Sequence, residues 1–253
     1  MLDDIAEADN VQALIVYVNS PGGTTTGGEA LYAGLRRVAE KKPVVAQFGT
    51  VAASAGYIVG LATDHIVSRG NTITGSVGVI VQWPEITQLL EKIGVKVNTV
   101  KSGVLKAEPS PLTQADPEAL AVTSEMVADG FDWFNGLVED RRGIKIDDVP
   151  GLKKGRVFSG RQAKEYKLVD AIGGEPEVLE WLTTERGVTK DLRVVDWKPA
   201  QPGAWGLTSF ASEIARNVAL GSAKGLSDAL TSDSAWSMLS LDGLVSVWQP
   251  PEN

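Results

Sequence analysis

The feature that most constrains the fold is an apolar, β-branched run of strand length at residues 11–18, VQALIVYV. A run without polar alternation is typical of a strand buried on both faces of a parallel sheet. It ends at a Pro-Gly-Gly loop, and helical spacing follows over residues 27–41. Further apolar segments of strand length follow at 44–48, 64–68, 75–81 and 95–100, and helical stretches lie in two of the three intervals between them. Strand, crossover helix and strand repeated in this way predict an α/β fold with a mostly parallel sheet.

The second half of the chain is predicted to be mainly helical, with helices over 84–93, 117–142, 159–171 and 175–187. The helix over 117–142 is amphipathic, and its apolar positions predict the buried side. These positions are Leu120, Met126, Val127, Phe131, Phe134 and Val138. A shift in composition near Asp191 divides the chain into a domain over 1–190 and an extension over 191–253. Apolar residues at helical spacing predict that the extension is helical, with a possible role in contacts to another subunit or to a membrane.

Composition excludes several classes of function. The net charge of −8 disfavours a nucleic-acid-binding protein, because no element concentrates lysine and arginine. The absence of cysteine removes thiol nucleophiles, disulfides and cysteine metal sites. A single histidine, His65, with no metal-binding spacing around it predicts that there is no metal site. No run of about 18 apolar residues is present, so no transmembrane helix is predicted.

Ser54 is the strongest candidate for a nucleophile. Its neighbours Ala53, Ala55 and Gly56 are all small, which permits a sharp turn between a strand and a helix. Ser54 would then lie at the first turn of the helix, where backbone N–H groups are free. Together with Gly23, the small residues Ala55 and Gly56 would let the backbone of a substrate come close.

A glycine pair, Gly22-Gly23, follows the first buried strand and precedes a helix. This position predicts that it lies at the carboxyl edge of the sheet, where open α/β folds bind their ligands. Backbone N–H groups at such a place can stabilise a developing oxyanion. A plain turn would give the same Pro-Gly-Gly sequence.

A serine nucleophile requires a base. His65 is poorly placed for this role, because it begins a strand about three helical turns beyond Ser54, roughly 15 Å along the axis. A lysine can act as a base if burial keeps its amine neutral. Lys106 lies in a loop beside Val104, Leu105 and Ala107, but composition alone leaves it one of several candidate lysines.

Four sequence blocks together resemble the signal peptide peptidase A family of bacterial serine proteases. They are VNSPGGTTTGG, GTVAASAGYIVGLATD, NTITGSVGVI and KSGVLKAEPSP, in this order and at the family's spacing, within residues 8–185. The resemblance implies a crotonase-like fold and a catalytic Ser–Lys dyad without a cofactor. The nucleophile would be Ser54, and the base would be Lys106, which lies 52 residues later.

The resemblance also assigns roles to other residues. Ser76 matches the serine that orients the lysine, and Gly22 matches the glycine of the oxyanion hole. Two positions differ from the family's usual pattern. Ala55 replaces a glycine, and the pair Ala107-Glu108 stands where an aspartate commonly follows the lysine. Both dyad residues are nevertheless present.

Substrate, assembly and location also follow from the resemblance as expectations. Members of the family degrade cleaved signal peptides and other short apolar peptides, and they form homo-oligomeric rings with internal active sites. They are usually held at the bacterial inner membrane by an N-terminal helix, with a periplasmic catalytic domain. That helix and one further strand are missing before Met1, so the chain as printed is expected to be soluble.

Four alternatives remain. An acyl-CoA enzyme of the crotonase type would need a basic cluster for the nucleotide phosphate, and a protease of the caseinolytic protease P type would need a histidine about 25 residues after Ser54. The sequence has neither. A phage head-maturation protease could carry the same dyad. An inactive paralogue could serve as a scaffold, although such proteins are expected to lose Ser54 or Lys106.

Overall fold

The computed structural model describes residues 1–197, and their elements alternate as a mixed α/β fold. The strands are β1 (Leu14–Ser20), β2 (Val44–Ala53), β3 (His65–Ser68), β4 (Ile73–Gly75), β5 (Val157–Ser159) and β6 (Ala171–Ile172). The α-helices are α1 (Leu2–Glu7), α2 (Thr25–Ala39), α3 (Ala55–Leu61), α4 (Thr87–Lys92), α5 (Pro117–Arg142), α6 (Gly160–Glu165) and α7 (Glu175–Arg186).

The six strands form one mostly parallel sheet around β2. Strand β1 pairs with β2 on one side, and β3 and β4 pair with successive parts of β2 on its other side. Strand β6 is parallel to β3, whereas β5 is antiparallel to β4. The parallel register brings the carboxyl ends of β1, β2 and β4 to the same edge of the sheet.

The main core lies between one face of the sheet and the helices α2, α3 and α5. Tyr57 and Phe48 are fully buried there and contact each other edge to face. A smaller cluster on the opposite face packs Val178 and Leu182 of α7 against Val45 and Val67. Since α3 is buried along its whole length, the position of its first residue is fixed by the core.

Helix α5 has the predicted bounds, because its ends carry strong signals. Asp116 accepts a hydrogen bond from the N–H of Glu118, Pro117 occupies the first turn, and Gly143 ends the helix in the left-handed conformation. The predicted buried side is correct only in the second half of the helix. Phe134 and Val138 are buried, whereas Leu120 and Met126 are exposed, Met126 by 61%. Apart from Ala119, the buried residues of α5 all lie in its second half.

Two predicted strands are wrong, and one predicted helix is too long. Strand β4 ends at Gly75 instead of running over 75–81, because Gly75 and Ser76 both have positive φ and turn the chain away from the sheet. Residues 95–100 are exposed and pair with no described strand. Over 159–171, α6 ends at Glu165 and the chain then continues into β6.

The predicted extension over 191–253 lies outside the described residues except for 191–197, so the division into two domains stays a prediction. Within residues 1–197, none of the helices has the length and apolar character needed to cross a membrane.

Candidate active site

Ser54 lies at the junction between β2 and α3, as the small residues around it predict. It precedes the first residue of α3 and has φ 53° and ψ −123°, a conformation that a residue with a side chain rarely adopts. Its backbone N–H donates to the carbonyl of Gly75 at 2.9 Å, and its carbonyl accepts from the N–H groups of Tyr57 and Ile58. The tight turn presents the hydroxyl at the carboxyl edge of the sheet.

Gly22 packs directly against Ser54. A methyl group placed on Gly22 would lie 2.9 Å from Cβ of Ser54 and 3.2 Å from its Oγ, which is too close for any side chain. Gly22 also has φ 135°, which strongly favours glycine. The loop around it is closed by Ser20, whose hydroxyl lies 3.2 Å from the carbonyl and 3.3 Å from the N–H of Gly22. The structure therefore brings together two residues 32 positions apart in sequence.

Ser76 occupies the position on β4 that corresponds to Ser54 on β2. Ala53 and Gly75 are partners in the parallel ladder, so the next residue of each strand leaves the same edge of the sheet. Both serines have φ 53°. The N–H of Ser76 donates to the carbonyl of Arg156 at 3.0 Å, which fixes its backbone beside β5. Ser76 therefore leaves the sheet on the strand next to Ser54, which packs against Gly22.

The remaining predicted substrate contacts differ in exposure. Gly23 is exposed, whereas Ala55 and Gly56 are buried against their own chain. A methyl group on Gly56 would lie 2.8 Å from the carbonyl oxygen of Ser20, so a small residue is needed there for packing. Among residues 1–197, the N–H groups of Gly23 and Ala55 have no acceptor. Gly23 follows the residue that packs against Ser54, and Ala55 follows Ser54 itself, so both groups are near the nucleophile and available to a developing oxyanion.

Lys106 lies on a long excursion of the chain between β4 and α5, residues 79–115, which we call the arm. The side chain of Lys106 is exposed and makes no hydrogen bond or ion pair with any other described residue, Ser54 included. Apolar residues of the arm are exposed as well, including Ile80, Ile93, Val100 and Val104. The arm therefore presents apolar surface that the described part of its own chain does not cover.

One carboxylate in the arm has a defined environment. Glu108 pairs with Lys101, and its Oε1 also accepts a hydrogen bond from Thr113 at 3.4 Å. The hydrogen bond from Lys101 lowers the pKa of Glu108 from its ordinary value. The side chain of Lys101 is therefore engaged in an ion pair, whereas that of Lys106 pairs with no other described residue. Local composition could not separate these two lysines, because it is similar around both; the family resemblance alone assigned the role of base to Lys106.

His65 lies at the opposite end of the sheet from Ser54. It pairs with Val45 near the beginning of β2, whereas Ser54 follows the end of that strand. Its ring stacks on Trp181 at 4.6 Å between ring centroids, and its Nδ1 lies 3.9 Å from a carboxylate oxygen of Asp170. Asp170 itself accepts two hydrogen bonds from Arg142. These contacts give His65 a structural role, and it cannot serve as the base for Ser54.

We expect His65 to make the stability of the fold depend on pH. Burial lowers its pKa below the ordinary value, an effect that Asp170 partly offsets and that Arg142, Lys164 and Arg186 increase. The unfolded chain therefore binds more protons than the folded chain below about pH 6.5, and stability falls as the pH is lowered from there to the folded pKa. The slope in this window is at most about 1.4 kcal/mol per pH unit.

Urea unfolding at pH 7.5 and pH 5.5, on the wild type and His65→Gln, measures this contribution. His65→Gln also loses the stacking on Trp181, but that loss is the same at both pH values. The difference in unfolding free energy between the two pH values should be smaller in the variant. Equal differences in the two proteins would contradict the prediction.

Within the described part of the chain, no group of three or more histidine, aspartate and glutamate side chains is arranged to hold a metal ion. The groups around Ser54 are hydroxyls and backbone amides, which suit covalent catalysis by a serine rather than metal coordination.

Comparison with known proteins finds one matching family and several relatives named as proteases. The model of the family described as peptidase family S49 matches residues 36–189. A protein of Synechocystis sp. named "Putative protease slr0021" is 35% identical over 185 residues, which cover 73% of this chain and 67% of that protein. A protein of Enterococcus faecium named "Putative signal peptide peptidase SppA" is 34% identical over 198 residues, which cover 78% of this chain and 57% of that protein.

A protein of Haemophilus influenzae named "Protease 4" is 32% identical over 176 residues, which cover 69% of this chain but only 28% of that protein. The range that matches the family model includes Ser54, Ser76 and Lys106, whereas Gly22 and Gly23 precede it.

Proposed function

Because this chain belongs to peptidase family S49 and is a serine-type peptidase, we propose that it is an endopeptidase with a Ser54–Lys106 dyad. Its substrates are short apolar peptides such as cleaved signal peptides. The observation that carries the proposal is the packing of Gly22 against Ser54 at the carboxyl edge of the sheet. A strained serine beside free backbone N–H groups is an arrangement suited to acyl transfer.

The mechanism has two steps. Ser54 Oγ attacks the peptide carbonyl while the neutral amine of Lys106 accepts its proton. The N–H of Ala55 stabilises the oxyanion together with the N–H of Gly22, which exchanges its contact with Ser20 Oγ for the oxyanion. Lys106 then returns the proton to the departing amine, which leaves an acyl group on Ser54. In the second step Lys106 activates water, which releases the acid product and regenerates the serine. Ser76 orients the amine of Lys106 throughout.

The dyad is completed by a second copy of the chain in a homo-oligomeric ring. Lys106 is exposed on the arm, and the arm carries apolar side chains that need a partner, with Val104 76% exposed two residues before Lys106. Contact with another subunit would bury these side chains and also remove Lys106 from water, which a neutral amine requires. In this arrangement Lys106 of one subunit reaches Ser54 of its neighbour.

The fold proposed for the catalytic domain is crotonase-like, which agrees with the mostly parallel sheet and with the connection of β2 to α3 through Ser54. We also propose that the protein is associated with the bacterial inner membrane and has its catalytic domain in the periplasm. An apolar substrate released from a membrane would be available at that place.

Recovery of activity from two inactive variants tests this function. Ser54→Ala and Lys106→Ala carrying different tags are co-expressed, and oligomers that contain both are purified and incubated with an apolar peptide and with a charged peptide of equal length. Roughly a quarter of the wild-type rate on the apolar peptide is expected, because random assembly pairs an intact serine with an intact lysine at about one interface in four.

The controls separate the proposed activity from the proposed pairing of Ser54 and Lys106 between neighbouring subunits. Each variant alone should be inactive, and the wild type should prefer the apolar peptide. A wild type that cleaves neither peptide would contradict the proposed function. An active wild type together with inactive mixed oligomers would instead mean that the dyad does not form between neighbouring subunits.

A further inference from the structure

The register between β1 and β2 changes immediately before the nucleophile. Val18 pairs with Phe48, but the next paired residues are Ser20 and Ala52. One residue of β1, Asn19, therefore lies opposite three residues of β2, at positions 49–51. This bulge puts two additional residues into β2 just before the segment that leads to Ser54. Bulges of this kind alter the direction of a strand and are common beside active sites.

Asn19 holds the bulge from the side of β1. The backbone N–H groups of Thr50 and Val51 do not bond to β1 in the ladder, and both donate instead to Oδ1 of Asn19, at 3.1 Å and 3.2 Å. A single side-chain oxygen thus accepts from two consecutive backbone N–H groups that the interrupted ladder leaves without a backbone acceptor on β1.

Two other residues contact Gly49, the first of the three bulged residues of β2. The hydroxyl of Thr72 donates to the carbonyl of Gly49 at 2.6 Å, in a buried position. Gly49 lies beneath the ring of Tyr17, and a methyl group on it would come within 2.6 Å of the tyrosine oxygen. The bulge is therefore held at its first residue by Thr72 and at the next two by Asn19.

The bulge determines where Ser54 lies relative to Gly22. A regular ladder continuing from Val18 and Phe48 would place Ser20 opposite Thr50 instead of Ala52. Ser54 would then lie two residues farther along, a displacement of about 6.6 Å. The observed gap between Gly22 and Ser54 is too narrow even for one methyl group, so the active-site geometry depends on this register.

We propose that Asn19 is a positioning residue for the peptidase reaction, whose carboxamide oxygen keeps β2 in the register that sets Ser54 against Gly22. This inference rests on the proposed function, in which Ser54 is the nucleophile. Asn19 acts through the backbone of residues 50 and 51 and does not touch the reacting atoms.

Kinetics of three variants of the full chain on an apolar peptide test this role. Asn19→Ala should lower kcat about 10²-fold with little change in KM, because a displacement of about 1 Å costs this much when reacting groups must be aligned. Asn19→Asp keeps an acceptor oxygen at the same place and should restore most of the rate. Gln12→Ala is the matched control, since Gln12 also accepts a backbone N–H, from Thr189, near the other end of β1.

A readout independent of the peptide comes from hydrogen exchange. The amides of Thr50 and Val51 should exchange faster in Asn19→Ala than in the wild type or in Asn19→Asp. Labelling of Ser54 by a fluorophosphonate should slow in parallel with kcat. Unchanged kcat in Asn19→Ala, or a loss in Asn19→Asp as large as in Asn19→Ala, would overturn the inference.

If Asn19→Ala does not fold, Thr72→Val serves in its place. This change removes the hydroxyl that holds Gly49 while keeping the shape of the side chain, so kcat should fall, and Thr72→Ser should restore it. Normal turnover by Thr72→Val would overturn the inference. Ser54→Ala tests the nucleophile separately from Asn19. Activity in Ser54→Ala would overturn the proposed function. An inactive Ser54→Ala together with a fully active Asn19→Ala would overturn the role of Asn19 alone.

Discussion

Replacing either residue of the proposed dyad is expected to reduce peptide hydrolysis at least 10⁴-fold, the largest effect of any change considered for this chain. Lys106→Ala removes the only group proposed to accept the proton of Ser54, and Ser54→Ala removes the nucleophile. The two losses should be about equal and should not add in the double variant, because the residues act as one unit. Hydrolysis of an apolar peptide, followed by mass spectrometry, measures all three variants.

The matched control is Lys101→Ala, five residues earlier on the same arm. Lys101 is paired with Glu108, so its loss removes an ion pair but no catalytic group. We expect this variant to keep most of its activity. His65→Gln should also remain active, since His65 lies at the other end of the sheet. Turnover by Lys106→Ala at the wild-type rate would exclude the dyad.

The dependence of the rate on pH identifies the base separately. Only the neutral amine of a lysine can accept a proton, so the rate should rise as the pH is increased. A profile governed by a group near pH 6.5 and abolished in His65→Gln would indicate a histidine instead. Fluorophosphonate labelling of Ser54 should follow the same pH profile as hydrolysis.

Gly22→Ala is expected to reduce kcat about 10²-fold to 10³-fold, the magnitude found when one donor of an oxyanion hole is lost. The added methyl group would lie 2.9 Å from Cβ of Ser54, so either the loop around Gly22 or the nucleophile must move. The φ of 135° at Gly22 adds strain for any residue with a side chain. Steady-state kinetics and the rate of fluorophosphonate labelling should both show the loss.

Gly187→Ala is the control for backbone strain. Gly187 ends α7 with φ 65°, and a methyl group on it would meet no atom within 4 Å. This variant should lose about 1 to 2 kcal/mol of stability, with kcat unchanged. If Gly22→Ala were no less active than Gly187→Ala, the contact between Gly22 and Ser54 would have no catalytic importance.

Several features of the fold could be predicted because their signals are local. The bounds of α5 were correct, since Asp116, Pro117 and Gly143 mark its ends through contacts within one turn. The position of Ser54 between a strand and a helix was also correct, because small residues surround it in sequence. The family was identified from four spaced motifs, and the match to peptidase family S49 confirms it.

The failures concern segments that leave the sheet. Apolar, β-branched residues within 75–81 and 95–100 suggested strands. A strand also needs a neighbour with free backbone groups, and none of the described strands is available to the segments after Gly75. The apolar first half of α5 and the arm are exposed for a related reason. Their composition shows that they need a partner but does not say whether the partner is in the same chain.

The amino-acid sequence by itself determined the alternation of strands and helices, the serine at a strand-to-helix turn, and the glycine-rich loop at the end of a buried strand. Only the tertiary structure decided that Gly22 touches Ser54, that Ser76 leaves the sheet beside it, and that Asn19 maintains the register between them. The physical reason is that each local preference arises from contacts within a few residues. Strand register, in contrast, is set by hydrogen bonds between segments about 30 residues apart, and a shift of two residues would leave every local signal unchanged.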